Sequence, residues 1–198
     1  MKKVMFFLGI MVLFFGAVGI AGATVLTFDD LAPTSSYASI PDAYGGFNWD
    51  NFYYINQGAY PGSGYDNGTV SGEYTAFNWY ARLASSVNDD TFDFNGAFLT
   101  SAWRDENVVT VEGYVNGAAL PLYVKQVTTN TAGPEWFDFD FYGIKALFFS
   151  SSNGHFAMDN FTYNETNTIP NPEPATMLLL GSGLIGMGVI RRRKFFHK

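Results

Sequence analysis

Nucleophilic catalysis of the Ser-His-Asp kind needs an imidazole held beside a serine. Between Thr24 and Asn171 the chain offers a single histidine, His155. It follows Ser150-Ser151-Ser152-Asn153-Gly154, a loop entering a strand, and no Gly-x-Ser-x-Gly elbow accompanies it. His155 is therefore expected to be an exposed turn residue. With no cysteine and no His-x-x-x-His, the ligands of a zinc site are missing. Glycoside hydrolysis asks for two carboxylates about 5–10 Å apart across a cleft. Asp29/Asp30, Asp105/Glu106 and Asp138/Asp140 are the local pairs. Strand neighbours point to opposite faces, whereas Asp138 and Asp140 would share one. Solvated faces and turn capping account for all three. Asp138-x-Asp140 has Gly143 at the offset of an EF-hand glycine, but Phe149 stands where the bidentate glutamate is required. No catalytic residue is assigned, and the expectation is a protein that is not an enzyme.

Two kinds of binding remain. Calcium takes carboxylate and carbonyl oxygens, which loops between strands supply. Asp29 and Asp30 follow the first expected strand and Asp159 sits in the last, so their carboxylates meet if those strands pair. The alternative is that Asp29-Asp30 caps a turn and Asp159-Asn160 bonds to nearby backbone. A sugar would use exposed aromatic faces, and Tyr53, Tyr54, Tyr60, Tyr65, Trp79 and Trp103 are the residues of that type. Tyr60 and Tyr65 are the leading candidates, because loops on a rigid scaffold carry function.

The elements that position these residues are strands. Aromatics make up 18% of the 198 residues, with Phe 20, Tyr 12 and Trp 4 punctuated by 21 glycines, and this combination favours pleated, half-buried strands. No sustained 3.6-residue apolar period appears between Thr24 and Asn171. Phe137, Phe139 and Phe141 alternate, as do Phe92 with Phe94 and Val109 with Val111. Asn116-Gly117 predicts a type I′ turn joining strands at Val108–Val115 and Leu120–Val127. Further strands are predicted at Thr24–Phe28, Phe47–Ile55, Glu73–Ala84, Gly96–Trp103, Ile144–Ser150 and Phe156–Tyr163, with Gly58–Ser71 a long loop. Nine or ten strands in one domain need two packed layers, since a single open sheet of that size exposes a face. The expected fold is all-β, an antiparallel β-sandwich of jelly-roll type.

Charge separates the body from the ends. Seven of the eleven basic residues are terminal; between Thr24 and Asn171 four basic residues face seventeen acidic ones, a net charge of −13. Such a body repels phosphate backbones, which excludes nucleic acid as a partner. Residues 1–23 read as a signal peptide: Lys2 and Lys3, an apolar stretch, then Ala21-Gly22-Ala23 as a small-x-small cleavage site. Residues 24–169 form the ectodomain. Residues 170–198 are tripartite. Pro172-Glu173-Pro174 is stiff and extended. Ala175–Ile190 is apolar, 16 residues that span a bilayer only if it thins or the flanking arginines snorkel. Arg191-Arg192-Arg193-Lys194 holds the cytoplasmic side.

The order Asn-Pro-Glu-Pro-Ala-Thr (171–176), Leu-Leu-Leu-Gly-Ser-Gly-Leu (178–184) and the arginine cluster resembles the PEP-CTERM sorting signal of Gram-negative bacteria that make exopolysaccharide. The resemblance implies export across the inner membrane, a transient anchor, processing by an exosortase-type enzyme near Pro172, Glu173 and Pro174, and release to the cell surface or extracellular matrix. Thr27-Phe28-Asp29-Asp30-Leu31, the stretch Phe94–Tyr114 and Phe156-Ala157-Met158-Asp159-Asn160-Phe161 resemble the sandwich domains found ahead of such tails. Those domains are similar to carbohydrate-binding jelly rolls, which often hold a structural calcium between first and last strands. The implied role is non-enzymatic association with exopolysaccharide or the biofilm matrix. The alternatives are a polysaccharide-acting hydrolase and a purely structural matrix protein.

Overall fold

The computed structural model describes residues 22–33 and 36–164. The expected signal segment with Ala21, and the tail with Pro172, Glu173, Pro174, Arg191, Arg192 and Arg193, lie outside the described residues; Ala23 is exposed just before the first strand.

The runs of aromatic and β-branched residues form ten strands in the described residues: β1 (Thr24–Leu26), β2 (Tyr37–Ser39), β3 (Phe47–Asp50), β4 (Phe52–Asn56), β5 (Tyr74–Asn78), β6 (Ala84–Ser101), β7 (Asn107–Tyr114), β8 (Tyr123–Thr129), β9 (Glu135–Ser151) and β10 (Phe156–Tyr163). Each pairing is antiparallel. The alternating Phe92 and Phe94 join the predicted Gly96–Trp103 strand in β6, and the alternating Phe137, Phe139 and Phe141 join Ile144–Ser150 in β9. These two long strands pair from Ala84↔Phe149 to Leu99↔Glu135, through register shifts around Phe92 and Phe94. Asp140 and Gly143 take positive φ in β9, the conformation of a bulge that bends a strand. One end of the β6–β9 pair is flanked by β3 and by β7–β8; the other carries β10, β5, β4 and β2 in that order, with β1 beside β10.

The bend brings the two ends face to face. Phe52 of β4 lies 5.4 Å from Phe149 of β9, and Phe47 of β3 lies 5.4 Å from Phe161 of β10, although neither pair of strands is hydrogen-bonded. Phe94 is fully buried and stacks on Phe139 at 5.0 Å and Phe161 at 4.7 Å. Burying each such ring contributes about 1.5–3 kcal/mol. The architecture is thus an all-β, antiparallel sandwich-like fold around an aromatic core.

Two predicted strands break where the chain changes layer. Phe47–Ile55 divides at Asn51, whose φ of 56° suits asparagine better than most residues. Its amide donates to the carbonyls of Trp79 at 3.0 Å and Leu83 at 3.1 Å. Those carbonyls belong to the second crossing, a 3-10 turn at Trp79–Ala81 with positive φ at Tyr80 and Ala81, which divides the predicted Glu73–Ala84 strand. The β7–β8 hairpin forms, but Gly117 alone takes positive φ at its tip and the Ala118 N–H bonds to the Val115 carbonyl. A type I′ turn needs positive φ at both central residues, so the turn is of type II character and β8 starts later than expected.

Candidate functional site

The segment Gly58–Ser71 is not structureless. Ser63 caps a short helix, α1 (Gly64–Asn67), by accepting a bond from the Tyr65 N–H, and the Gly64 N–H donates to the Ala102 carbonyl at 2.9 Å. This docks α1 on the end of β6 and drives Tyr65 inward, to 1% exposure. The Tyr65 hydroxyl meets Nδ1 of His155 at 2.5 Å. Burial pushes the Tyr65 phenol well above its ordinary value and holds the His155 imidazole below its own. Both are therefore neutral at pH 7, so this is a neutral hydrogen bond whose direction follows the imidazole tautomer.

Around this pair lies a groove of about 210 Å³. Its floor is Ile55, Tyr65, Phe77 and His155, with Phe77 stacked on the imidazole at 5.8 Å. Its walls are Tyr37, Tyr60, Trp79, Tyr80 and Trp103. Tyr60 is 42% exposed, Trp103 49% and Tyr80 65%. Tyr60 and Trp103 meet edge to face at 5.3 Å, and Trp79 is braced by Tyr53, stacked at 4.7 Å. The groove is concave and largely apolar with a few polar tips, the character of a small-ligand site.

Of the two predicted sugar contacts, the structure brings Tyr60 and Tyr65 together, 6.1 Å apart. Tyr60 offers a face. Tyr65 does not: α1 docking buries it, so it is part of the floor rather than a platform. Trp79 and Trp103 join them, while Tyr54 is buried in the main core with its hydroxyl on the Ala32 carbonyl. His155, expected as an exposed turn residue, is half-buried in the groove. The signal available in the sequence was Ser63-Gly64-Tyr65-Asp66, a capping serine with an acid in the first turn behind it.

The carboxylates have other work. β1 and β10 pair as expected, and Asp29 and Asp159 converge on the segment between α1 and β5. Asp159 is fully buried; its Oδ2 accepts from the N–H groups of Val70 at 2.7 Å and Ser71 at 2.9 Å, and its Oδ1 from Asn160 N–H at 2.7 Å. Asp29 Oδ1 accepts from Glu73 N–H at 2.7 Å and Tyr74 N–H at 3.0 Å. Asp30 turns away and accepts from the Tyr44 hydroxyl at 2.6 Å. Main-chain donors thus take both oxygens of Asp159 and Oδ1 of Asp29, and no group of three or more His, Asp or Glu suited to a metal forms among the described residues. As folded, Asp29 and Asp159 fit a clasp that pins the loop to β10 better than a calcium site. Asp105 bonds to Thr131 and Asp138 to the Trp136 indole, and neither lines the groove.

The pattern of the PEP-CTERM protein-sorting motif matches residues 172–194. The chain carries a PEP-CTERM sorting motif. The matched span contains Pro172, Glu173 and Pro174 and runs through Arg191, Arg192 and Arg193. The motif implies an exported protein with a membrane-anchored sorting signal, processed by an exosortase-type enzyme. No curated protein matches this chain. Among solved structures it is similar to the K1 cleaved adhesin domain of Lys-gingipain from Porphyromonas gingivalis W83, at 12% identity and a TM-score of 0.39, covering 73% of this chain and 99% of that one. It is also similar to TmCBM61 in complex with β-1,4-galactotriose, at 12% identity and a TM-score of 0.36, covering 66% and 97%.

Proposed function

We propose that this PEP-CTERM protein is a non-enzymatic protein of the cell surface or extracellular matrix of a Gram-negative bacterium, and that its groove binds exopolysaccharide. In this reading the chain crosses the inner membrane behind its signal peptide, starts at Thr24 once cleaved, and is held with its arginines in the cytoplasm until exosortase-type processing near Pro172-Glu173-Pro174. Jelly-roll connectivity, with first and last strands side by side, belongs to the same reading. The observation that carries it is the groove itself. Exposed rings of Tyr60, Tyr80 and Trp103 surround a cavity of about 210 Å³ with the Tyr65–His155 pair at its base. The apolar face of a pyranose ring suits such rings, and a few fixed polar groups suit its hydroxyls.

The test is affinity electrophoresis and calorimetric titration against a panel of bacterial exopolysaccharides and neutral galactans. Trp103→Ala is expected to weaken binding at least tenfold, about 1.4 kcal/mol, beyond the modest drop in melting temperature from losing its edge contacts with Tyr60 and Tyr65. Retention of full affinity by Trp103→Ala, or binding of no glycan in the panel, overturns the groove as a sugar site. Release of reducing ends by the wild type would favour the hydrolase. Calcium belongs in the same assay: a stabilisation reversed by chelator would mean that the Asp29–Asp159 clasp rearranges around the ion.

A further inference from the structure

The four basic side chains of the body fall into two groups. Lys125 and Lys145, on β8 and β9, are folded onto their own surface, donating to the main-chain carbonyls of Asp138 and Asp89. The two arginines do not line the groove, but each adjoins one of its wall residues. The guanidinium carbon of Arg82 stands 5.5 Å from the centre of the Tyr80 ring, a groove wall. Arg104 directly follows Trp103, and its Nη1 donates to Asn153 Oδ1 at 3.1 Å, two residues before His155. Both are exposed, and among the described residues neither guanidinium has a carboxylate partner. Asp105, next to Arg104, is turned to other donors, accepting from both the N–H and the hydroxyl of Thr131, and Glu106 makes no ion pair with Arg104 among the described residues. In a body of net charge −13, two guanidiniums without carboxylate partners beside one aromatic groove are a local exception that needs a ligand-side counterpart.

We propose that the groove takes a carboxylate-bearing polysaccharide, a polyuronate, whose rings stack on Tyr60, Tyr80 and Trp103 while its carboxylates meet Arg82 and Arg104. This rests on the carbohydrate-binding reading above and names the class of sugar. Guanidinium is the side chain that matches a carboxylate in two parallel bonds, and it holds its charge at any physiological pH. The acidic remainder of the body does not defeat the match. At about 0.15 M salt the screening length is about 8 Å, so distant acids fade while direct contacts persist. Binding therefore strengthens at first as salt is raised from very low values, because body-wide repulsion is screened before the contacts are.

The experiment titrates the full-length protein in detergent micelles with sodium polygalacturonate and with the same polymer fully methyl-esterified. The backbone is shared; esterification removes the charge and adds a small methyl group. The acid form is expected to bind about tenfold tighter, in the range of charge-assisted contacts. Arg82→Gln combined with Arg104→Gln brings the two polymers to parity, whereas Lys125→Gln, which removes the same kind of charge away from the groove, preserves the preference. Equal affinity of the wild type for both polymers overturns the charge assignment and leaves the sugar groove standing. So does a preference that survives the double arginine variant. Binding of neither polymer overturns the polyuronate, and titration with the neutral galactans then decides whether the groove takes sugar at all.

Discussion

Replacing Gly64 by alanine strikes the joint that builds the groove. A Cβ at that position would lie 1.8 Å from the Ser101 carbonyl oxygen, 2.7 Å from its carbon and 2.9 Å from the Cα of Ala102. All three are main-chain atoms, so no side chain can rotate away. An ordinary carbon–oxygen contact is about 3.3 Å, so α1 has to retreat by more than an ångström. That retreat breaks the bond from Gly64 N–H to the Ala102 carbonyl, a loss of about 1 kcal/mol. The residual crowding costs about 1–3 kcal/mol, giving about 2–4 kcal/mol in all. In a domain of this size each kcal/mol moves the melting temperature by about 2–4 °C, so Gly64→Ala is expected to melt about 5–15 °C lower. Tyr65 follows Gly64 and loses its seat against His155, so glycan affinity falls with stability. Calorimetric melts and glycan titrations of Gly64→Ala beside Gly117→Ala make the comparison. Gly117 has a φ of 72° and open space around it, so alanine there costs about 1 kcal/mol of backbone strain and leaves the groove intact. A Gly64→Ala protein that melts within about 2 °C of wild type would refute the steric argument. One that is destabilised as expected yet binds with full affinity would refute the link from α1 docking to the groove.

Two further outcomes concern titration and buried bonds. Burial holds the His155 imidazole below its ordinary value near 6.5, so the unfolded chain takes up a proton before the folded one. Stability is complete above that value and is lost as pH falls from it through the depressed folded value; melts across this window should show the loss, and His155→Gln should remove it. Asp159 has the opposite sign. Burial, more than any other influence, pushes its carboxyl up, so its contribution falls as pH rises from the ordinary carboxylate value through the raised one. Asp159→Ala flattens that slope and strands the N–H groups of Val70, Ser71 and Asn160, an expected loss of about 3 kcal/mol by urea unfolding.

What can be read from the sequence is what is local. Alternation of Phe137, Phe139 and Phe141 and the run Phe156–Tyr163 read correctly as strands, because a period of two is written into consecutive residues. The breaks at Asn51 and Trp79 are not legible. Each is a crossing between layers held by the other's backbone, 28 residues away. Tyr60 and Tyr65 stand out as loop aromatics, yet their different roles depend on Gly64 meeting Ser101, a contact between segments far apart in the chain. The place of His155 is hidden for the same reason. Only the docked helix gives it a hydroxyl partner and removes it from water. The Asp29–Asp159 convergence is legible as a pairing of first and last strands, but the backbone donors that fill those carboxylates come from the Val70–Tyr74 segment, which no local pattern announces.

Strand β10 has a mechanical consequence. It begins one residue after His155, at the floor of the groove, and ends at Tyr163, from which the chain runs on toward the sorting motif. A load applied between the groove floor and Tyr163 enters at one end of this strand and leaves at the other, over about 25 Å. β10 is flanked along its length by β6 on one side and by β5 and then β1 on the other. Such a pull drags the strand lengthwise, so its hydrogen bonds share the force together instead of peeling apart one by one. Strand β10 is thus placed to resist traction between the floor of the groove and the end of the fold at Tyr163.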